Sequence, residues 1–289
     1  MAAHPSKLQS YTQMAADNST VITSSFDNWS AFLVTASKMY KYTFLEQLII
    51  HIQRPQATAC AEYGTWSKEM HRYVRRYAKG IAVISFIDGQ PTLRHVFDVA
   101  DTGPKEGALY PFLWTNRDEY QSVITAALEN RFNVLLDQRG LPIQLANIAA
   151  QLAGKYWTNG EEKIIASIGD RPSNLTRETF QDAAVASVTY SLLSRCGLHP
   201  EQFFDAEDFT SVYKFNSFRP VLALGTAVSR CNEVVLRCIE MAVKQYERDK
   251  RAGKLNPAPA PSPAPAAPPA PAPEVVSAPV RLCSFSPNG

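Results

Sequence analysis

The residues best equipped for chemistry lie in one run, Trp-Ser-Lys-Glu-Met-His-Arg-Tyr-Val-Arg-Arg-Tyr-Ala-Lys, from Trp66 to Lys79. Read as a helix, at about 100° per residue, Lys68, Arg72, Arg75 and Lys79 share one side, with Arg76 flanking them. His71 lies near the edge, Glu69 is the one opposing charge, and Tyr73 and Tyr77 border the stripe. Cations beside flat rings suit a single-stranded nucleic acid: the charges meet phosphates and the rings stack on unpaired bases. The expected nucleic-acid-binding set is therefore Trp66, Lys68, Arg72, Tyr73, Arg75, Arg76, Tyr77 and Lys79. If the five cations each neutralise one phosphate, log affinity falls with log salt at a slope of roughly −3.5. The plainer alternative is an amphipathic helix with a solvated basic face and its tyrosines in the core. Lys38, Lys41 and Arg54 would extend the patch, and Tyr40 and Tyr42 are either stacking groups or a hydrophobic belt between two helices.

Other chemistry finds less support. Neither His51 nor His71 begins an HExxH, and no GKS, GKT, GxSxG or dinucleotide-binding glycine pattern occurs. Asp98 and Asp101 form a close acidic pair that would either hold Mg²⁺ or simply end a strand in solvent. His199 reads as a loop histidine after a helix end. Cys196 beside Arg195 is either a thiol of lowered pKa or a buried cysteine closing an amphipathic helix. The five cysteines are widely spaced with no CxxC. The expectation is a chain with no catalytic residue, no metal and no cofactor.

The elements that must position the basic run follow from caps and periodicity. Ser25 or Asp27 caps a helix with Trp29, Phe32, Leu33, Ala36 and Tyr40 on one stripe. A second helix carries Phe44, Leu45, Leu48, Ile49 and Ile52 and stops at Arg54-Pro55. Thr65 caps a third, with Trp66, Met70, Tyr73, Val74 and Tyr77 apolar and Gly80 just past its end. Ile81–Phe86 and Leu93–Val99, joined by Asp88-Gly89-Gln90-Pro91, read as a β-hairpin that must lean on the preceding helices. Beyond it, helices are expected over Asn116–Arg131, Pro142–Trp157, Thr176–Arg195, from Ser217, and over Ser229–Lys250.

The fold class expected is mainly α with a small β-hairpin (α+β). It divides into a flexible leader (1–25), a helix–helix–helix–hairpin module (26–102), a helical region (103–250) and a disordered Pro/Ala tail (251–289). The Ala-Pro stretch Pro257–Pro273 favours polyproline II, a spacer on the order of 50 Å. The sixteen residues after it are too few for a domain, so the chain reads as a shortened version of a longer modular protein. The net charge of +2 across 289 residues names no partner by itself. With no secretory h-region and no apolar run near the roughly 20 residues of a membrane span, the chain is expected in the cytoplasm with reduced thiols and no membrane contact.

Residues 26–250 resemble the N-terminal region of large polyvalent proteins carried by conjugative and other mobile elements of Gram-positive bacteria. The resembling segments are 36–48, 53–61, Thr65-Trp66-Ser67, 79–84, 96–102, 194–198 and 224–229. The Trp66…Lys79-Gly80-Ile81-Ala82-Val83-Ile84 pattern is also similar, more weakly, to the single-stranded-DNA-binding domain of ArdC-type antirestriction proteins, placing Trp66, Arg72, Arg75, Lys79 and Gly80 in its helix-to-strand region. The resemblance implies a DNA-binding accessory module acting in conjugation or antirestriction, without the metallopeptidase, helicase or methyltransferase domains of such proteins. The competing expectation is a protein–protein adaptor whose helical region docks a partner and whose Pro/Ala tail tethers one.

Overall fold

Short polar side chains set the first three helix starts. Ser6 opens α1 (Lys7–Ile22), Ser25 opens α2 (Phe26–Lys38) and Thr43 opens α3 (Phe44–Gln53), each side chain accepting a backbone N–H of the first turn. Ser6 with Gln9, and Thr43 with Glu46, complete reciprocal capping boxes. The computed structural model describes residues 6–168 and 177–254; the Ala-Pro tract and the Thr176 helix start lie outside the described residues.

The flexible leader expected over residues 1–25 is corrected for Lys7–Ile22, which form helix α1; residues 1–5 lie outside the described residues. Its Ser- and Thr-rich composition conceals a narrow inward stripe. Ala15, Ser19 and Ile22 are buried, and Leu8, Tyr11 and Met14 pack against the same core.

Five strands follow: β1 (Cys60–Glu62), β2 (Arg72–Val74), β3 (Ile81–Ile87), β4 (Gln90–Asp98) and β5 (Thr102–Pro104). Strands β1, β4 and β3 form an antiparallel sheet in that order, and β2 pairs antiparallel with β5. The β3–β4 hairpin forms as expected, over a two-residue turn in which Asp88 (φ 51°) and Gly89 (φ 76°) both adopt left-handed backbone. Helix α3 supports it. The Gln53 amide donates to Ala82 O at 2.7 Å and accepts from Ala82 N at 3.1 Å, while Glu46 accepts from Ser85 Oγ at 2.5 Å and Arg94 Nη2 at 2.6 Å.

The third helix expected over Thr65–Lys79 does not form. One turn of π-helix, Thr65–Glu69, is capped by Met70 and followed by His71, whose φ of 50° no right-handed helix can continue. The next residues become β2 because a partner strand distant in sequence takes up their backbone: Arg72, Tyr73 and Val74 pair with Pro104, Gly103 and Thr102. Lys105 N donates to His71 O at 3.0 Å and Arg75 N to Asp101 O at 2.8 Å, extending the pairing at both ends. Helical periodicity was present but long-range pairing overrode it.

Beyond the sheet the described residues carry four more α-helices: α4 (Gln121–Phe132), α5 (Leu141–Ile168), α6 (Arg177–Arg195) and α7 (Phe218–Arg251). Helix α7 runs unbroken for 34 residues where two helices were expected. Ser229 is an interior residue whose hydroxyl donates to Tyr42 O at 3.2 Å, so it does not act as a cap. The protein is thus mainly helical with a small antiparallel sheet.

The expected boundary at 102/103 runs through a shared core. A small cluster under the sheet, Met39, Ile50, Ala57, Ile81, Val83 and Val96, belongs to residues 26–102 alone. Trp29, Phe32, Leu33, Phe44 and Leu48 instead join one large cluster with α4–α7. Trp29 Nε1 donates to Ser187 Oγ of α6 at 2.9 Å. At Gly225 of α7 the Phe44 ring occupies the space a Cβ would need. Gly225→Ala is therefore expected to lower stability by about 1–3 kcal/mol, the usual cost of overpacking a filled core, read as a drop in the urea midpoint with unchanged slope.

Candidate nucleic-acid interface

The structure divides the eight residues of the expected site. Trp66 is 2% exposed and its indole donates to Phe97 O at 2.8 Å, so it is a core anchor and no stacking platform. Arg72 is 5% exposed; its Nε donates to Thr102 Oγ1 at 2.8 Å and its guanidinium lies 4.7 Å from the Tyr110 ring centroid. It cannot join a solvent-facing stripe. Arg72 was placed outward by a helical register that β2 replaces, whereas Trp66 keeps the apolar, inward position its stripe implied and loses only its binding role.

The remaining residues stay outside. Arg75, Arg76, Tyr77 and Lys79 are exposed in the turn linking β2 to β3. Tyr77 is 84% exposed with φ 67°, and Arg76 stacks 4.9 Å from its ring centroid. Tyr73, half exposed on β2, covers Gly103, where any side chain would collide with its ring. Lys68 is exposed on the π turn, beyond Met70. The single helical face is therefore corrected to a tight basic turn with Lys68 offset from it.

None of these four cations pairs with a carboxylate among the described residues. Arg54, by contrast, makes a two-pronged ion pair with Asp101, with Nη2 to Oδ1 at 2.9 Å, and adds no free charge to the patch. The Asp98 carboxylate accepts from Thr58 N (2.7 Å), Ala59 N (3.1 Å) and Ala100 N (2.9 Å). Asp98 and Asp101 thus fasten the loops behind the turn, and no group of three or more potential metal ligands occurs among the described residues. Cys196 is buried and burial pushes its thiol up to about 12, so the lowered-pKa reading does not hold there.

Reasoning from sequence missed a second feature. Between β5 and α4 the chain runs as a strap over a cleft of about 610 Å³. Leu109 N donates to Met70 O at 2.9 Å, tying the strap to the π turn. Three of its alternate residues each meet a cation from a different element. Tyr110 covers Arg72 of β2; Phe112 lies 5.4 Å from Lys244 of α7; Trp114 lies 3.9 Å from Arg195 of α6. Arg195 Nη1 also donates to Trp114 O at 2.6 Å.

The lining also carries Tyr40, Lys41 and Tyr42. Tyr40 is buried and Tyr42 donates to Cys60 O at 2.7 Å, which fits the belt reading of these rings better than free stacking groups. At the base, Glu240 accepts from Tyr40 Oη at 2.6 Å, Lys41 Nζ at 2.9 Å and Lys244 Nζ at 2.7 Å. Burial opposes its ionisation, yet these three donors outweigh burial and hold the carboxyl at about 2. Burial also lowers the pKa of Arg195, outweighing the opposing pull of Tyr40, Cys196 and Glu240; its guanidinium lies against the Trp114 ring and carbonyl. The legible signal was the run Tyr110-Pro-Phe-Leu-Trp114, dense in rings but without helical or strand periodicity.

No helix among the described residues is long and apolar enough to cross a membrane. No family model, no curated protein and no solved structure matches the chain.

Proposed function

We propose that the protein is a non-catalytic accessory module that binds single-stranded nucleic acid, DNA by preference, in the cytoplasm, serving the transfer or antirestriction functions of a mobile element. The observation that carries this reading is the β2–β3 turn. Arg75, Arg76 and Lys79 project from it without carboxylate partners, beside the exposed rings of Tyr73 and Tyr77. Phosphates supply the missing counter-charge, and unpaired bases have flat faces for the rings. The choice of DNA and of a mobile element rests on the sequence resemblance alone. The four described cysteines are free thiols, which suits a reducing compartment.

With Arg72 inside the fold, four cations remain, so the salt dependence expected is shallower than the sequence alone implied. Fluorescence anisotropy of a labelled single strand should give a log–log salt slope of roughly −2.8, with weaker binding to a duplex. Absence of salt-sensitive binding overturns the proposal.

A second reading is favoured by one observation. Leu109 and Leu113 of the strap are exposed apolar side chains, which suits a protein partner docking there. Partner capture that survives alanine at all four cations would favour this adaptor reading.

A further inference from the structure

The cleft under the strap has a composition that neither an interior nor an ordinary surface requires. Its cations are Lys38, Lys41, Arg195 and Lys244, and its one carboxylate is Glu240, so the lining carries four positive charges against one negative. Lys41 and Lys244 share that carboxylate; Arg195 and Lys38 make no ion pair among the described residues. Six of the other seventeen lining residues are aromatic: Tyr40, Tyr42, Trp66, Tyr110, Phe112 and Trp114. Positive charge concentrated beside flat rings complements an anion with a planar body.

Two further observations point the same way. Arg72, behind Tyr110, is buried with no carboxylate, and its Nη1 has no hydrogen-bond partner. A buried guanidinium in that condition adds positive potential behind the Tyr110 ring and favours negative charge in the neighbouring cleft. Its cover is the Tyr110 ring, itself 73% exposed and set on a strap rather than in a sheet. An apolar peptide seated here would bury Arg195 and Lys38 further without compensating them; a phosphate would compensate them. The volume, about 610 Å³, lies within the span of small-molecule sites and admits one nucleotide.

We propose that this cleft is a seat for one unstacked nucleotide of the bound strand, its base against the rings of Tyr110 and Phe112 and its phosphate between Arg195 and Lys244. This rests on the single-strand reading above and names the site at which a base is held. The basic turn and the Tyr110 end of the cleft are joined by β2, from Arg72 under Tyr110 to Arg75 just past the strand, about 10 Å along an extended backbone. A strand gripped by the turn therefore reaches the cleft over a short path. The turn supplies most of the charge, and the cleft supplies stacking and one phosphate contact.

The test uses the full chain and a single-stranded oligonucleotide carrying 5-iododeoxyuridine, photocrosslinked and mapped by mass spectrometry, alongside anisotropy of Tyr110→Ala/Phe112→Ala. Crosslinks are expected on residues 109–115. The double variant is expected to bind roughly tenfold to a hundredfold more weakly, with the salt slope unchanged because only stacking is lost. Crosslinks confined to residues 73–79, or undiminished affinity in the double variant, overturn the cleft site while leaving strand binding intact. Failure of the unaltered protein to bind any oligonucleotide overturns both. The crosslink map needs no substitution, so it decides even if the variant folds poorly.

Discussion

The variant K68A/R75A/R76A/K79A is expected to lose nearly all salt-sensitive binding to a single strand while melting at the temperature of the unaltered protein. The first half follows from charge. Four phosphate contacts give a slope of roughly −2.8, so affinity should drop about fiftyfold between 50 and 200 mM salt. Without those contacts the slope should flatten by roughly 2.8, leaving only the one phosphate contact of the cleft, and binding at low salt should become barely measurable. The second half follows from structure. All four side chains are exposed and none pairs with a carboxylate among the described residues. Surface substitutions of that kind usually stay within about 0.5 kcal/mol each. The instructive control is Arg237→Ala, which removes an exposed cation of α7 paired with Glu233 and should leave the slope unaltered. A quadruple variant that kept both affinity and slope would show that the turn holds no strand.

That expectation already reflects where the sequence misled. The early helices were legible because their determinants are local: Ser25 and Thr43 cap the segments they begin, and the apolar spacing from Trp29 to Ile49 faces one way. The β3–β4 hairpin was legible because Asp88-Gly89 is the turn its register needs. The segment 70–79 was misread because its fate is decided by Thr102–Pro104, about thirty residues on, which no local window contains. The basic cluster survived as a cluster, but its geometry changed from a rod to a turn and lost Arg72 to the interior.

The cleft was invisible for a stronger form of the same reason. Its parts come from residues 38–42, 58–61, 65–70 and 109–115 and from Arg195, Glu240 and Lys244. Tyr40 and Glu240 share a hydrogen bond across 200 positions. Neither residue type nor spacing announces that contact. Once made, it explains why Tyr40, Lys41 and the C-terminal half of α7 form one unit, and why the shared core crosses the 102/103 boundary.

Glu240 therefore ties the fold to pH, and the direction can be worked out. Its carboxyl is held at about 2 in the folded protein against an ordinary value of 4.5. A folded pKa below the unfolded one stabilises the fold in full above the unfolded value; that stability is lost as pH falls through the folded value. Two and a half units correspond to at most about 3 kcal/mol. The Glu46 carboxyl, buried but bonded by Ser85 and Arg94, is also lowered and adds loss in the same direction. Wild type alone cannot separate the two, so the comparison is with Glu240→Gln, which keeps an acceptor for Tyr40 but carries no charge. At pH 6 the variant should be markedly less stable by urea titration, because Lys41 and Lys244 lose their shared counter-charge. Between pH 5 and pH 2.5 the gap should close by roughly 2–3 kcal/mol, as wild type sheds what the variant never had. A gap that stayed constant across that range would mean the carboxylate's charge contributes nothing and its role is shape alone.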